Sequence, residues 1–378
     1  MRDTRSIEAV LDLARWAPSG DNTQPWRFEV VDGTHAVIHG FDTRDQCVYD
    51  LDGRPSQMSI GALIETAAIA ATAYGLRLRS TRRLEAPETK PTFELAFTED
   101  AQIQRDSLFG FIKQRSVQRR PFAATPLSDE QKDALQSSIG TAYSVRWIEG
   151  LPARMSMARL LFRSARLRLI TPEAYRVHRD VIEWNARFSV DKVPDQALGV
   201  GQIMLSTMRF AMHDWARVQF FNRFLAGTWV PRIQMDLLPA LACGAHFVLL
   251  AQTPPLSIDD NIAAGRVMQR FWLTATRLGL AIQPEMTPLI FARYAQEGRH
   301  FSSNMAAPKV ASRVAKDLAK VTGADTVDRG FFIGRIGQAR PPGARSLRKE
   351  LRALLHDDGD SACGQTQMRF GLLLSCLA

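Results

Sequence analysis

"GALIETAAIAATAYGL", residues 61–76, returns as "GRVMQRFWLTATRLGL" at residues 265–280. The shared form is G-x9-A-T-x2-G-L. It lays Gly61, Ala71, Thr72, Gly75 and Leu76 over Gly265, Ala275, Thr276, Gly279 and Leu280 at one constant offset of 204. Alanine, glycine and leucine are common enough to match by chance, but an ungapped run at a fixed offset is what a repeated unit produces. Both stretches have helical apolar spacing, and their small residues permit close helix–helix approach. We therefore read the chain as one unit written twice.

Strand candidates surround both copies. "WRFEVV" from Trp26, "HAVIHGF" from His35 and "TFELAF" from Thr92 accompany the first, whose helix is predicted from near Ser56 through Leu78. "SVRWIE", "AHFVLLAQ" and "GFFIGRIG" accompany the second, the last two reading as buried strands. "SLFGFIKQRS", near residue 110, reads as a helix that restarts the pattern, and residues 128–230 read as mostly helical. The predicted fold is α+β, with a mixed, mostly antiparallel sheet in each half, flanked by helices and packed about a pseudo-two-fold.

The bulk numbers describe an ordinary globular chain of 378 residues, 46% hydrophobic and 23% charged, with a net charge of +9. Of 48 basic residues only eight are lysine. Arginine suits bidentate recognition of phosphate and carboxylate, although codon usage alone can raise its count. Residues 1–110 carry a net −5 and the remainder a net +14. No basic run is long or interleaved with aromatics, so a phosphate-bearing small ligand is expected rather than a nucleic acid. Cys47, Cys243, Cys363 and Cys376 are far apart with no CxxC, which suggests neither a disulfide framework nor a zinc site. No signal peptide is evident, and the longest apolar helix is interrupted by Glu65 and too short for a bilayer. A cytoplasmic protein without a membrane segment is expected.

Three segments carry candidate chemistry. The first is "ARWAPSGDNTQPWRFEV", residues 14–30, where Pro18, Ser19, Gly20, Asp21, Asn22, Thr23, Gln24 and Pro25 separate a helix from a strand. A plain turn needs about four residues. A longer, rigid, donor-rich stretch is how a scaffold presents a loop to a ligand, the alternative being a stiff connector. The second is "KQRSVQRRPF", residues 113–122, with Arg115, Ser116, Gln118, Arg119 and Arg120. The third is "RIGQARPPGARSLRK", residues 335–349, with Arg345, Ser346 and Arg348 after a proline-glycine turn. A phosphate is held by short hydroxyl donors beside a fork-shaped cation, and Ser-x-Arg supplies both. Solvated surface charge is the competing reading of each cluster.

Together these segments resemble the nitroreductase-like flavoprotein superfamily. The opening loop is similar to its A-P-S-x-x-N-x-Q-P-W loop, "QRSVQRRPF" to its N-terminal R-R-S-x-R-x-F element, and "RIGQARPPGARSLR" to its C-terminal strand, turn and basic residues. Ordinary members are homodimers with FMN at the interface. Here the first half keeps the loop without the arginine element, and the second keeps the arginine and C-terminal elements without the loop. The chain thus resembles the tandem branch, a nitroreductase-like fold duplicated in one chain: residues 1–110 form one half, and residues 111–378 the other, with a helical insertion around 150–240. The resemblance implies a monomer acting as its own dimer, or a homodimer of such chains.

The same resemblance implies that Arg115, Ser116 and Gln118 or Arg119 reach the FMN phosphate and pyrimidine edge, and that Arg345, Ser346 and Arg348 complete the phosphate pocket. Pro18, Ser19, Gly20, Asn22 and Gln24 would face the ring and ribityl chain. Glu285 and Met286, in "QPEMTP", would stand near the reactive flavin edge. It implies FMN as cofactor, NADPH or NADH as donor, and ping-pong hydride transfer to a small organic acceptor. Two alternatives stay open: a protein that sequesters flavin under a lid, and a tailoring enzyme working with a separate adenylating partner. The aromatic stretch from Met208 to Arg232 reads as core or as that lid. His35 and His39 share a strand face and have no supporting ligand cluster, so no metal site is expected. "GVGQIM" lacks the third glycine of a dinucleotide fingerprint.

Overall fold

The structure, a computed structural model, describes residues 4–224 and 229–356. Cys363 and Cys376 lie outside the described residues; Cys47 and Cys243 are free thiols. Helix α1 (Arg5–Ala14) leads into an antiparallel sheet of β1 (Trp26–Val30), β2 (His35–Gly40), β3 (Leu76–Arg82) and β4 (Thr92–Glu99). Helix α2 (Arg54–Thr72) lies between β2 and β3 in the chain. Helix α3 (Asp129–Ser137) leads into a second antiparallel sheet of β5 (Tyr143–Ile148), β6 (Ala245–Ala251), β7 (Leu280–Pro284) and β8 (Gly330–Gln338). Helix α8 (Ile258–Arg277) lies between β6 and β7. The strand orders are β1-β2-β4-β3 and β5-β6-β8-β7, the same order in both sheets.

Between β5 and β6 the chain inserts α4 (Gly150–Ile170), α5 (Pro172–Val181), α6 (Gln202–Ala211) and α7 (Trp215–Phe224). Between β7 and β8 it adds α9 (Thr287–Gln296) and α10 (Ala307–Thr322). No described helix is long and apolar enough to cross a membrane.

The helices α2 and α8 pack against each other at the centre. Fifteen of the nineteen residues of α2 are buried, so it is a core element rather than an amphipathic surface helix. The crossing is reciprocal. Gly61 abuts the backbone of Ile262, Gly265 abuts the backbone of Met58, and a Cβ at either would clash. Gln57 and Asn261, again 204 apart, hydrogen-bond to each other at 2.9 Å. Thr66 accepts from Gln269 at 2.9 Å, while the equivalent pair, Glu65 and Arg270, forms an ion pair at 2.9 Å. One apolar core spans both sheets and both helices; a second lies among α4, α5, α9 and α10.

Two local expectations need correction. The first long helix stops at Thr72, not Leu78. Gly75 takes φ +68°, as Gly279 takes +71° after α8, and ends the helix in the left-handed conformation. Leu76–Arg82 then forms β3, with alternating burial. "SLFGFIKQRS" forms only one 3₁₀ turn, Phe109–Phe111. Beyond it the chain runs extended beside β7, where Val117 pairs with Ile282. "AHFVLLAQ" and "GFFIGRIG" are buried central strands.

Candidate functional site

The loop after α1 is held in a strained shape. Asp21, Asn22 and Gln24 have φ of +49°, +64° and +50°; Asn185 is the one other non-glycine residue with positive φ among those described. Left-handed backbone outside glycine costs on the order of 1–3 kcal/mol per residue and persists only where surroundings enforce it. Ser19 Oγ accepts from the Gln24 amide at 3.0 Å, and the Trp26 side chain is fully buried behind the loop.

The three segments converge on this loop. Arg348 donates through Nε and Nη2 to the Ala17 carbonyl at 3.0 and 2.9 Å. Arg115 Nη2 donates to the Trp16 carbonyl at 3.2 Å, and Arg345 donates to the carbonyls of Lys113 and Arg115. They enclose a cavity of about 340 Å³, within the range that holds a small ligand or cofactor. Its apolar lining includes Met58 from α2, Met268 and Trp272 from α8, and Phe332 from β8. The Arg115 guanidinium lies 4.7 Å from the Trp272 ring centroid.

The electrostatics are one-sided. Arg115, Arg119, Arg168, Arg345 and Arg348 all line the cavity. Among the described residues only Arg168 has a carboxylate partner in an ion pair, Asp236. Burial, reinforced by Arg348 and Arg345, pushes the Arg115 guanidinium well below its ordinary range. Burial, with Arg345 and Arg15, brings Arg348 down to about 9. Burial lowers Arg345 as well. Nε of Arg115 and of Arg345 are buried without a hydrogen-bond partner, as are Asn22 Oδ1 and Gln283 Oε1. Buried cations without carboxylates are costly unless an anion joins them, so the chemistry of this donor set suits a phosphate.

The insertion between α5 and α6 roofs the cavity. Phe188–Ser189 pairs in parallel with Arg345–Ser346. The Lys192 carbonyl accepts from Asn22 Nδ2 at 3.2 Å and from Ser346 Oγ at 2.9 Å. Arg119 donates to the Ala197 carbonyl at 3.2 Å.

No family model matches the chain. Three Mycobacterium tuberculosis proteins are similar in sequence. "Uncharacterized protein MT1398" (strain CDC 1551 / Oshkosh) is 24% identical over 362 residues, 92% of this chain; the chain spans about half, 48%, of that relative's length. "Putative NAD(P)H nitroreductase MT3217" from the same strain is 27% identical over 301 residues, 77% of this chain and 79% of that one. "Uncharacterized protein MT3212", also from that strain, is 32% identical over 278 residues, 72% of this chain and 75% of that one. The chain is thus similar over most of its length to proteins of which one is named a putative NAD(P)H nitroreductase.

Among solved structures, a nitroreductase-like family protein from Bacillus cereus matches 68% of this chain and 98% of its own. Its TM-score is 0.33 and its identity 13%. Oxidized iodotyrosine deiodinase, bound to FMN and 3-iodo-L-tyrosine, matches 65% of this chain and 96% of its own, with TM-score 0.33 and 11% identity.

Eleven of the fourteen residues singled out from the nitroreductase-like motifs line the cavity: Pro18, Ser19, Gly20, Asn22, Arg115, Ser116, Arg119, Met286, Arg345, Ser346 and Arg348. Three are not among its lining residues. Gln24 is fully buried; it donates to the Val190 carbonyl at 2.9 Å and accepts from the Lys349 amide at 3.0 Å. Gln118 donates to the Arg340 carbonyl at 2.7 Å and accepts from the Arg120 amide at 3.0 Å. Of the two candidates beside Ser116, it is therefore Arg119 that reaches the cavity. Glu285 pairs with His246 Nδ1 at 2.8 Å and faces Arg335, behind the turn that presents Met286.

The sequence reading missed a second polar group in the same cavity. The Tyr49 hydroxyl lies 3.0 Å from His178 Nε2, and Arg168 stands beside them. Burial, with Arg168, drops His178 to about 3, and burial pushes the Tyr49 phenol well above its usual range. Both groups are thus neutral, and the direction of their hydrogen bond follows the His178 tautomer. Burial raises Asp21 too, against the pull of Arg119. Tyr49 and His178 are 129 positions apart in unremarkable segments, and no local signal links them.

Proposed function

We propose that the protein is an FMN-dependent oxidoreductase with one flavin site per chain, built by two halves of a duplicated unit. The observation that carries this reading is the convergence of three distant segments on one cavity whose buried arginines mostly lack carboxylates. FMN bound there would accept hydride from NADPH or NADH and pass it, in ping-pong order, to a small organic acceptor. Arg115, Ser116, Arg119, Arg345, Ser346 and Arg348 would hold its phosphate and pyrimidine edge. Pro18, Ser19, Gly20 and Asn22 would hold the ring and ribityl chain from the other half. Met286 and the start of α9 would border the reactive edge. Gln24, Gln118 and Glu285 act from behind, fixing the loops that carry these contacts. Residues 1–110 and 111–378 are the two halves of this reading.

One observation favours a second reading, a flavin-sequestering protein with little turnover. The roof over residues 182–198 is fastened by Asn22, Gln24, Ser346 and Arg119, and the enclosed space suits one ligand. A single experiment separates the two. Anaerobic addition of NADPH or NADH to the yellow protein should bleach the flavin band within seconds to minutes if the protein turns over. A bound flavin that neither donor bleaches would favour sequestration.

A further inference from the structure

A second concavity lies away from the flavin cavity, between α4, α7 and α10, with a volume of about 930 Å³. Seven lysines and arginines line it against one carboxylate, Asp317, which is already paired with Arg163 at 2.7 Å. Arg313, Lys316 and Lys320 follow one another at helical spacing along α10, and no carboxylate within 4 Å pairs with them among the described residues. Arg232 is 7% exposed, and among the described residues its one hydrogen-bond partner is the Phe162 carbonyl, 2.6 Å from Nε. Its guanidinium lies 3.7 Å from the Phe162 ring centroid, with Arg166 as a like-charged neighbour that outweighs the more weakly felt Asp236, itself paired with Arg168. A buried cation beside another cation, without an ion-pair partner, is stabilised by an arriving anion.

Two indoles share the wall. Trp229 is 56% exposed and packs on Phe162 at 5.5 Å, with the Arg232 guanidinium 5.7 Å from its ring. Trp215 leans on Tyr175 at 5.3 Å. An exposed indole backed by an arginine is a stacking platform for a planar ring. The groove is independent of the flavin cavity: Arg166 and Arg168 lie on the same helix, but only Arg168 lines the latter.

We propose that this groove is a second binding site, for a nucleoside diphosphate, with the phosphates on Arg232, Arg166, Arg313 and Lys316 and the base on Trp229. Cations alone would suit any polyanion; the exposed indole adds a base. The volume matches a mononucleotide rather than a polymer. The inference does not depend on the flavin reading.

Calorimetric titration of the purified protein with ADP tests it, with pyrophosphate and adenosine as the two part-ligands. ADP should bind saturably at one site, tighter than pyrophosphate, with adenosine weakest. The exposed-residue double variant Arg313→Glu/Lys316→Glu should weaken ADP by about tenfold or more. Trp229→Ala should weaken it by roughly fivefold or more. Arg348→Ala, in the flavin cavity, should leave it unchanged. The proposal is overturned if ADP does not saturate, if the double charge reversal leaves its affinity intact, or if Arg348→Ala abolishes binding. It is overturned equally if pyrophosphate binds as tightly as ADP and Trp229→Ala changes nothing.

Discussion

Gly61 and Gly265 are equivalent points of one helix crossing, each seated on the backbone of the other helix, at Ile262 and Met58 respectively. Met58 and Ile262 are themselves 204 positions apart, so the two contacts are images of each other. The sequence repeat thus marks the contact about which the two sheets are arranged, and it explains why glycine stands at that position in both copies.

Both glycines should therefore be intolerant of a methyl group. Gly61→Ala and Gly265→Ala should each destabilise the fold by about 1–3 kcal/mol or more, because the obstacle is backbone rather than a movable side chain. Gly20→Ala, with no atom within 4 Å of the new Cβ, is the control and should shift stability far less. Thermal unfolding of the three variants checks this; equal midpoints for all three would contradict the crossing.

The pair of His246 with Glu285 gives a pH dependence with a definite sign. Burial opposes the charged imidazole, but Glu285 and Cys243 outweigh it and raise His246 to about 10, above its ordinary 6.5. A raised histidine contributes stability that is fully present below pH 6.5 and is lost as pH rises through about 10. Unfolding midpoints of the wild type should fall over that window more than those of His246→Gln. Parallel curves for the two proteins would show that the pair carries no such linkage.

Much of this architecture was legible in the chain, and the reasons differ by element. The repeat was readable because helix crossing constrains residue type directly: only small residues fit at Gly61 and Gly265. Central strands such as Ala245–Ala251 announced themselves as continuous apolar runs. Strand β3 was hidden because Ala-rich helix runs straight into it, and only the left-handed Gly75 separates them. Residues that line the cavity were legible where local chemistry clusters, as in Arg345-Ser346-x-Arg348. Side-chain direction was not: Gln24, Gln118 and Glu285 belong to the same motifs but are used for clamping. Tyr49 and His178 could not be read at all, because their pairing exists only in three dimensions.

Arg348→Ala should weaken FMN binding more than it harms folding. The side chain gives two hydrogen bonds to the Ala17 carbonyl, but it also sits beside Arg345 and Arg15, so its removal relieves like-charge repulsion. A lost charge-assisted contact to phosphate costs roughly 1.5–3 kcal/mol, about tenfold or more in affinity. Fluorescence titration with FMN measures it. Wild-type affinity in a folded variant would remove Arg348 from the phosphate site.

The roof should control how fast flavin leaves. Asn22→Ala and Ser346→Ala each cut one hydrogen bond to the Lys192 carbonyl, and each should speed FMN release by roughly two- to tenfold, the range of a single net hydrogen bond. Stopped-flow dilution of the loaded protein reads this rate. Unchanged release in both variants would mean that the segment 182–198 does not gate the cavity.

The central claim is that two halves of one chain share one flavin site, and its most direct measurement is the amount of FMN released per chain on denaturing the FMN-saturated protein. The account predicts one FMN per chain, because the loop at 18–26 and the arginine elements at 115–119 and 345–348 each occur once and meet in one cavity. Two FMN per chain, or no flavin retained after incubation with excess FMN, would contradict it.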